Sequence, residues 1–216
     1  PEEYVGFVFV NTTNGERHFS FAEDLCNNDR IDLSRIDHEY VTSADYLLLD
    51  GFYPNAALQA AQWMKSARKK VVFDATRTDD SVPKYIRDLI KYVDILICGE
   101  GFAQALTGTK DLQKACIKAR DHGPDIVVET LGEHGSFTAS QGSVFRTPGF
   151  SVESVDTTGA GDVFHGAYIV GLLKGYTLED KALFANAVSA LKCREPGGRQ
   201  GIPTMKQALF FLEEKG

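Results

Sequence analysis

The sequence predicts an α/β fold, a three-layer α/β/α sandwich around a mainly parallel central sheet, with a small β hairpin near the amino terminus. Short, continuously apolar segments such as YLLLD (46–50) and DILIC (94–98) are typical of strands that are buried on both faces of a sheet. Segments with helical spacing, such as ALQAAQWMKSAR (57–68), alternate with these strands. That alternation is typical of a parallel sheet covered by helices.

The predicted elements follow one another from the amino terminus. Two β-rich runs, residues 4–10 and 16–21, predict a hairpin, because Asn14-Gly15 supplies the positive backbone angles of a tight turn. Strands and helices then alternate. The predicted strands cover 46–50, 70–74, 94–98 and 125–130, and the predicted helices lie within 57–68, 82–93, 102–108 and 111–123.

The last third of the chain changes character. Residues 135–147 contain two short runs about a polar turn and predict a second hairpin. Three helices are then predicted, at about 162–174, at 177–192 behind a TLED capping box, and from Thr204 onward. Since no repeat or low-complexity linker interrupts the chain, we expect one domain spanning 1–216, with 1–21 as a candidate lid or edge hairpin.

Composition narrows the classes of function. With 43% hydrophobic and 25% charged residues in 216, the chain can build a sizeable core. A formal net charge of -7 without a Lys/Arg cluster disfavours nucleic acid as a partner. Four cysteines without CxxC spacing fit buried thiols in a reducing cytoplasm. The apolar runs are far shorter than a membrane span, so we expect no membrane partner.

The stretch SVESVDTTGAGDVFHGA (151–167) predicts an anion site, because a glycine-rich turn entering a helix presents unpaired N–H groups and the positive end of the helix dipole. Its spacing excludes a P-loop, since no Lys-Ser/Thr pair follows Gly159 or Gly161, and a dinucleotide fingerprint, since Phe164 stands at a required glycine. Asp162 adds a carboxylate to the same turn, which suits a base beside an anion hole. The alternative interpretation is an ordinary helix cap.

Several motifs together resemble one family. DTTGAGDVFHGA (156–167) closely resembles the carboxy-terminal signature of the pfkB family of carbohydrate kinases. DIVVETLGEHGS (125–136) resembles the family's phosphate-side strand and loop, LTG (106–108) falls where the family has it, and ANAVSALKCREPGGRQGIP (185–203) resembles its closing helix and adenine-side loop. The resemblance covers nearly all of the chain. It implies an ATP- and Mg²⁺-dependent phosphotransferase acting on a hydroxyl, taken as primary, of a sugar or sugar derivative.

The resemblance also implies roles for single residues. Asp162 would be the general base, and the amides of Gly159, Ala160 and Gly161 would hold the transferred phosphoryl group. On the nucleotide side the implied residues are Thr130, Gly132, Gly135, Asn186 and Gly198. For a monovalent cation such as K⁺, bound by some members, the implied residues are Asp156 and Thr158.

Two departures from the family pattern affect these expectations. The family's Asn-x-x-Glu ahead of LTG, which acts on magnesium, is replaced here by Gly99 and Phe102. Magnesium would then depend on ATP phosphates, water and a neighbouring carboxylate such as Glu100. The family's amino-terminal portion, with its sugar-contacting Gly-Gly motif, has no counterpart, so we expect the sequence to start partway through the family's first half. FDATRTD (73–79) is only a loose version of its Asp-Pro-Asn segment.

Alternative functions remain open from the sequence. A nucleoside or vitamin-type kinase of the same superfamily would share the anion hole but bind another acceptor. A non-catalytic nucleotide-binding or regulatory protein could keep the fold without the chemistry. A homodimer through the amino-terminal hairpin is a further expectation from the resemblance. His165 is interpreted as a packing or hydrogen-bonding residue of its helix rather than a substrate contact.

Overall fold

The computed structural model describes residues 7–10, 17–20, 31–76 and 81–215. The chain separates into two compact units. The unit that we call the sheet unit comprises Asn28–Leu131 and Ser136–Arg146. The helical unit comprises Pro1–Asn27, Gly132–Gly135 and Thr147–Gly216. A single domain across the whole chain stays a prediction.

The amino-terminal hairpin is present. Strand β1 (Phe7–Val10) pairs antiparallel with β2 (Arg17–Ser20), with Val8 opposite Phe19. The predicted turn at Asn14-Gly15 lies outside the described residues. The proposed role of the hairpin as a lid or edge stays a prediction.

The sheet unit is built on six strands in the order β3-β4-β5-β6-β7-β8. The first four are parallel, with Val72 of β4 opposite Ile95 of β5, and Ile95 opposite Ile126 of β6. Strand β7 is antiparallel to β6. The predicted α/β class with a mainly parallel sheet is therefore confirmed. The strands are β3 (Tyr46–Leu49), β4 (Lys70–Ala75), β5 (Ile95–Cys98), β6 (Ile126–Thr130), β7 (Ser136–Ser140) and β8 (Ser143–Thr147).

In the described part of the sheet unit, five α-helices accompany this sheet. The first was not predicted, because its sequence is short and mainly polar, and it begins where the Asp37 carboxylate accepts a hydrogen bond of 3.0 Å from the Tyr40 amide. The other four agree with the predicted segments to within a few residues at each end. The helices are α1 (His38–Ser43), α2 (Pro54–Ser66), α3 (Lys84–Ile90), α4 (Phe102–Thr107) and α5 (Leu112–Ala119).

The core of the sheet unit lies between one face of the sheet and helices α2 to α5. Phe73, Leu96 and Val127 from three neighbouring strands are buried there with Met64 of α2. Strands β4, β5 and β6 are buried on both faces, as their continuous apolar runs predicted. Strand β3 differs, because it lies at the edge of the sheet and leaves Leu48 42% exposed.

The helical unit carries three longer helices, α6 (Ala160–Leu173), α7 (Leu178–Lys192) and α8 (Met205–Lys215). The predicted cap of α7 is confirmed, because Thr177 Oγ1 accepts a hydrogen bond of 3.1 Å from the Asp180 amide. Helices α6 and α7 meet closely at Gly171, where an added Cβ would lie 2.6 Å from Cγ of Lys181.

Two expectations from composition can be compared with the described residues. Cys98, Cys116 and Cys193 are buried free thiols, and burial raises the pKa of Cys98 well above its usual value. Cys26 lies outside the described residues. Among the helices that the structure describes, none is both long and apolar enough to cross a bilayer.

Candidate active site

The turn that enters α6 depends on Gly159. Its φ of +75° is left-handed, and it occupies the N-cap position without a side-chain cap. A Cβ at this residue would lie only 3.0 Å from the carbonyl oxygen of Gly198. A glycine here therefore lets two backbone segments of the helical unit approach each other.

The first turn of α6 has amides available to a ligand. Of the three amides predicted for the anion hole, at Gly159, Ala160 and Gly161, the Ala160 amide already donates to the Thr157 carbonyl at 3.1 Å, so the prediction is not supported at Ala160. The Val163 amide donates to the Gly159 carbonyl at 2.9 Å. Between them, the amides of Gly161 and Asp162 have no acceptor in the described part of the chain, as expected at a helix start. With the dipole of α6 behind them, these two amides favour an anion.

Asp162 points its carboxylate toward open space rather than the core. The residue is exposed, lies in the first turn of α6, and lines a cavity of about 650 Å³ within the helical unit. Thr158, Gly159 and Gly198 line the same cavity. Four residues predicted for the site therefore meet around one space, with a carboxylate beside available amides.

Most of the remaining cavity wall is apolar. Side chains from all three helices of the helical unit form it, which makes the cavity suitable for a flat organic ring as well as for an anion at its α6 end. These side chains are Val163, Ala167, Val170, Phe184, Val188 and Ala208. Arg199 also lines the cavity and is exposed. Arg199 was not predicted as a site residue, although its place beside Gly198 in GGRQG was a usable signal.

Asp156 connects two walls of this cavity. Its Oδ1 accepts a hydrogen bond from the Thr158 amide and its Oδ2 accepts one from the Gly197 amide, both at 2.8 Å. Burial raises the pKa of Asp156, but the hydrogen bonds from Thr158 and Gly197 and the charge of Lys192 outweigh it, so the pKa lies below its usual range. The carboxylate thus stays ionised and ties the turn before α6 to the loop after α7.

The residues predicted for a monovalent cation are only partly free. Both oxygens of the Asp156 carboxylate already accept backbone hydrogen bonds. Thr158 Oγ1 is buried without a hydrogen-bond partner among the described residues. A K⁺ site at this pair stays a prediction.

Gly135 and Asn186 belong to a tightly packed part of the helical unit. A Cβ on Gly135, whose φ is +86°, would lie 2.1 Å from the Thr147 carbonyl oxygen. Asn186 Nδ2 donates to the Pro148 carbonyl at 3.1 Å and to the Thr147 carbonyl at 3.4 Å. Neither residue lines the cavity, whereas Gly132, with a φ of +56°, has open space where a Cβ would be. Their roles toward a nucleotide stay predictions.

Thr130 lies in the sheet unit, where its hydroxyl donates to the Cys98 carbonyl at 3.2 Å. The two positions that depart from the family's magnesium motif are in the same unit. Phe102 is buried at the start of α4, and a Cβ on Gly99 would meet no atom within 4 Å. Glu100, the suggested replacement, is exposed. No group of three His, Cys, Asp or Glu side chains in the described ranges could hold a metal ion by itself.

Glu129 is a carboxylate that the sequence analysis included in an apolar strand. It is fully buried, and its Oε1 and Oε2 accept hydrogen bonds from the amides of Gly101 at 2.8 Å and Ala103 at 3.1 Å. Burial raises its pKa, although these two hydrogen bonds lower it in part. Glu129 therefore caps the start of α4 from strand β6, because the N-cap residue Gly101 has no side chain that could do so.

Replacing Glu129 with alanine is expected to lower the free energy of unfolding by about 3–5 kcal/mol, because the buried Ala103 amide and the half-buried Gly101 amide lose their acceptor and a cavity is left. Since folding raises the pKa of this acid, its contribution is complete below about pH 4.3 and is lost as the pH rises through the folded value. The cost of Glu129→Ala should thus be larger in acid than at neutral pH. Urea unfolding across this pH range measures it.

Glu100→Ala is the matched control, because Glu100 is exposed in the same segment. It should change stability by less than about 0.5 kcal/mol at every pH. Equal effects of the two variants would contradict the capping role of Glu129.

His165 agrees with its interpretation as a hydrogen-bonding residue of α6. It is buried, and its Nδ1 lies 2.5 Å from the Gly161 carbonyl oxygen, one turn earlier. Its ring also packs edge-on against Phe164, with 6.3 Å between the ring centroids. His165 therefore contacts its own helix and is not among the residues that line the cavity.

Comparison with known proteins gives consistent matches. The profile of the pfkB family carbohydrate kinase matches residues 4–205. The ribokinase of Haemophilus influenzae is 28% identical over 98% of this chain and 70% of its own length. The ATP-dependent 6-phosphofructokinase of Thermoanaerobacterium thermosaccharolyticum is 37% identical over 56% of this chain, which covers only 37% of that relative's length.

Solved structures agree in fold. The structure of Arabidopsis thaliana ribokinase complexed with ribose and ATP superimposes with a TM-score of 0.79 at 25% identity. The superposition covers 97% of this chain and 69% of the ribokinase chain. The mainly parallel sheet flanked by helices is therefore shared across the length of the chain.

Proposed function

Because the chain belongs to the pfkB family of carbohydrate kinases, we propose that it is an ATP-dependent phosphotransferase that phosphorylates a hydroxyl, taken as primary, of a sugar or sugar derivative. The observation that carries this proposal is the position of Asp162. Its exposed carboxylate stands in the first turn of α6, beside two available amides and at the rim of the cavity.

In the proposed reaction the cavity is divided between two parts of ATP. The apolar wall around Val163, Phe184 and Val188 receives the base, and the phosphates extend toward the start of α6. There the amides of Gly161 and Asp162, together with the helix dipole, stabilise negative charge on the transferred group. The left-handed backbone at Gly159 favours a residue without a Cβ. Because glycine has no side chain, the phosphates can approach the turn closely.

Asp162 then acts on the acceptor. Its carboxylate takes the proton from the substrate hydroxyl as the hydroxyl oxygen bonds to the γ-phosphorus and the bond from that phosphorus to the bridging β–γ oxygen breaks. ADP leaves with the electron pair of the broken bond. Phosphoryl transfer depends mainly on positioning and charge stabilisation, which this short turn provides.

Magnesium belongs to the same proposal. A hard cation requires oxygen ligands, and ATP phosphates and water would supply most of them. A homodimer stays part of the proposal, and so does a cytoplasmic location, which the spacing of the cysteines favours.

The test is ADP release by the full-length protein with a panel of pentoses, hexoses and sugar acids, together with adenosine and pyridoxal. We expect turnover with at least one sugar-type acceptor in the presence of ATP and Mg²⁺. Turnover restricted to adenosine or pyridoxal would identify the nucleoside or vitamin-type alternative. ATP binding without turnover on any acceptor would instead favour a non-catalytic nucleotide-binding protein.

A further inference from the structure

Lys192 is an unusual residue of the helical unit. It is the last residue of α7 and is 0% exposed, although lysines at helix ends usually keep their charge in water. Its Nζ donates a hydrogen bond of 2.8 Å to the backbone carbonyl of Asp156. Burying an ammonium group is costly unless opposite charge and hydrogen bonds compensate. Asp156, whose ionised carboxylate belongs to the same residue, provides both.

Several oxygens of Asp156 and Cys193 that an added cation would compete for already accept hydrogen bonds within the described residues. The two carboxylate oxygens accept from the Thr158 and Gly197 amides, and the Asp156 carbonyl accepts from Lys192. The nearby Cys193 carbonyl accepts from the Val155 amide at 2.8 Å and the Asp156 amide at 3.1 Å. Thr158 Oγ1 is a further buried oxygen, and its hydroxyl helps to lower the pKa of the Asp156 carboxylate; one such hydroxyl does not form the multidentate oxygen cage that a hard cation needs.

We propose that the Lys192 ammonium is a built-in cation that holds the turn before α6 and the loop after α7 together, so that this site works without an added monovalent cation. For activity the inference rests on the proposed kinase function. Lys192 is a positioning residue in it, because it acts through Asp156 and does not line the cavity. The same ammonium contributes to the lowered pKa of Asp156.

The first measurement uses the wild-type protein in KCl, NaCl and choline chloride at equal ionic strength. We expect the same Tm in all three salts, and ADP release within about twofold. A Tm raised by KCl alone, or ADP release at least tenfold faster in KCl than in choline chloride, would overturn the inference.

The second measurement uses Lys192→Met, which keeps the length of the side chain but removes its charge and its donor. We expect the Tm to fall by about 5–10 °C in choline chloride, because a buried carboxylate loses its counter-charge. Relative to choline chloride, KCl should restore part of that loss and lower the KM for ATP, and NaCl should restore less. Lys174→Met, at an exposed lysine that follows α6, is the matched control and should leave both quantities unchanged.

The outcomes separate the two proposals. If Lys192→Met matches the wild-type protein in Tm and in salt response, Lys192 is not the cation of the site. If Lys192→Met does not fold, Lys192→Arg decides, because it retains the charge and should stay indifferent to KCl; a KCl-dependent Tm in a folded Lys192→Arg protein overturns the inference. Absence of ADP release with every acceptor would refute the kinase function, while the Tm series still tests Lys192.

Discussion

Asp162→Asn is expected to lower kcat for ADP release by about two to four orders of magnitude, because it removes the general base while keeping the shape of the side chain. The Tm and the affinity for ATP should change little, since the carboxylate is exposed and accepts no hydrogen bond from a described residue. Steady-state kinetics with the best acceptor, calorimetric ATP titration and thermal unfolding measure the three quantities.

Glu213→Gln is a control for the same change of charge at an exposed carboxylate of α8 that does not line the cavity. It should leave kcat, ATP affinity and Tm at wild-type values. Full activity in Asp162→Asn would show that the proposed base is wrong. A comparable loss of kcat in Glu213→Gln would show that the change of net charge, and not the position of Asp162, lowers the activity.

Gly135→Ala is expected to lower the free energy of unfolding by about 3–5 kcal/mol or to prevent folding altogether. The new Cβ would lie 2.1 Å from the Thr147 carbonyl oxygen and 2.4 Å from the Gly149 amide nitrogen, and the backbone φ of +86° adds strain. Both neighbours are backbone atoms, so no side chain can move aside to relieve the overlap. Denaturant unfolding of the purified variant measures the cost.

Gly132→Ala separates strain from steric overlap. Its φ of +56° is also left-handed, but a Cβ there would meet no atom within 4 Å. We expect a cost of about 1–2 kcal/mol, the usual penalty of this backbone conformation for a residue with a Cβ. If both alanine variants were equally stable, the close packing of Gly135 against Thr147 and Gly149 would be wrong.

The fold was predictable where the sequence reflects burial. Strands β4, β5 and β6 are apolar without alternation because both of their faces are covered, and this pattern predicted the parallel sheet. Strand β3 has the same kind of sequence but lies at the edge of the sheet. Its position could not be predicted, because apolar composition does not encode where a strand lies in the sheet. Helix α1 was not predicted because it has no apolar stripe, and the side chain of Asp37 caps its first turn.

The site was predictable only where its residues are neighbours in sequence. The exposed carboxylate of Asp162 behind Gly159 follows from the local motif, since both lie within one helical turn. The hydrogen bond from Gly197 to Asp156 joins residues 41 positions apart, and the hydrogen bond from Lys192 to Asp156 joins residues 36 positions apart. The capping role of Glu129 could not be predicted for the same reason, because its partners at the start of α4 lie in a different part of the chain.

The carboxylate of Asp156 couples the opening of the turn before α6 to that of the loop after α7. The Thr158 and Gly197 amides donate to the two oxygens of one carboxylate. Each amide must break its hydrogen bond to Asp156 before its hydrogen can exchange with solvent. A rotation of that single side chain frees both amides at once. We therefore expect the turn and the loop to open together, with similar hydrogen-exchange protection at the Thr158 and Gly197 amides.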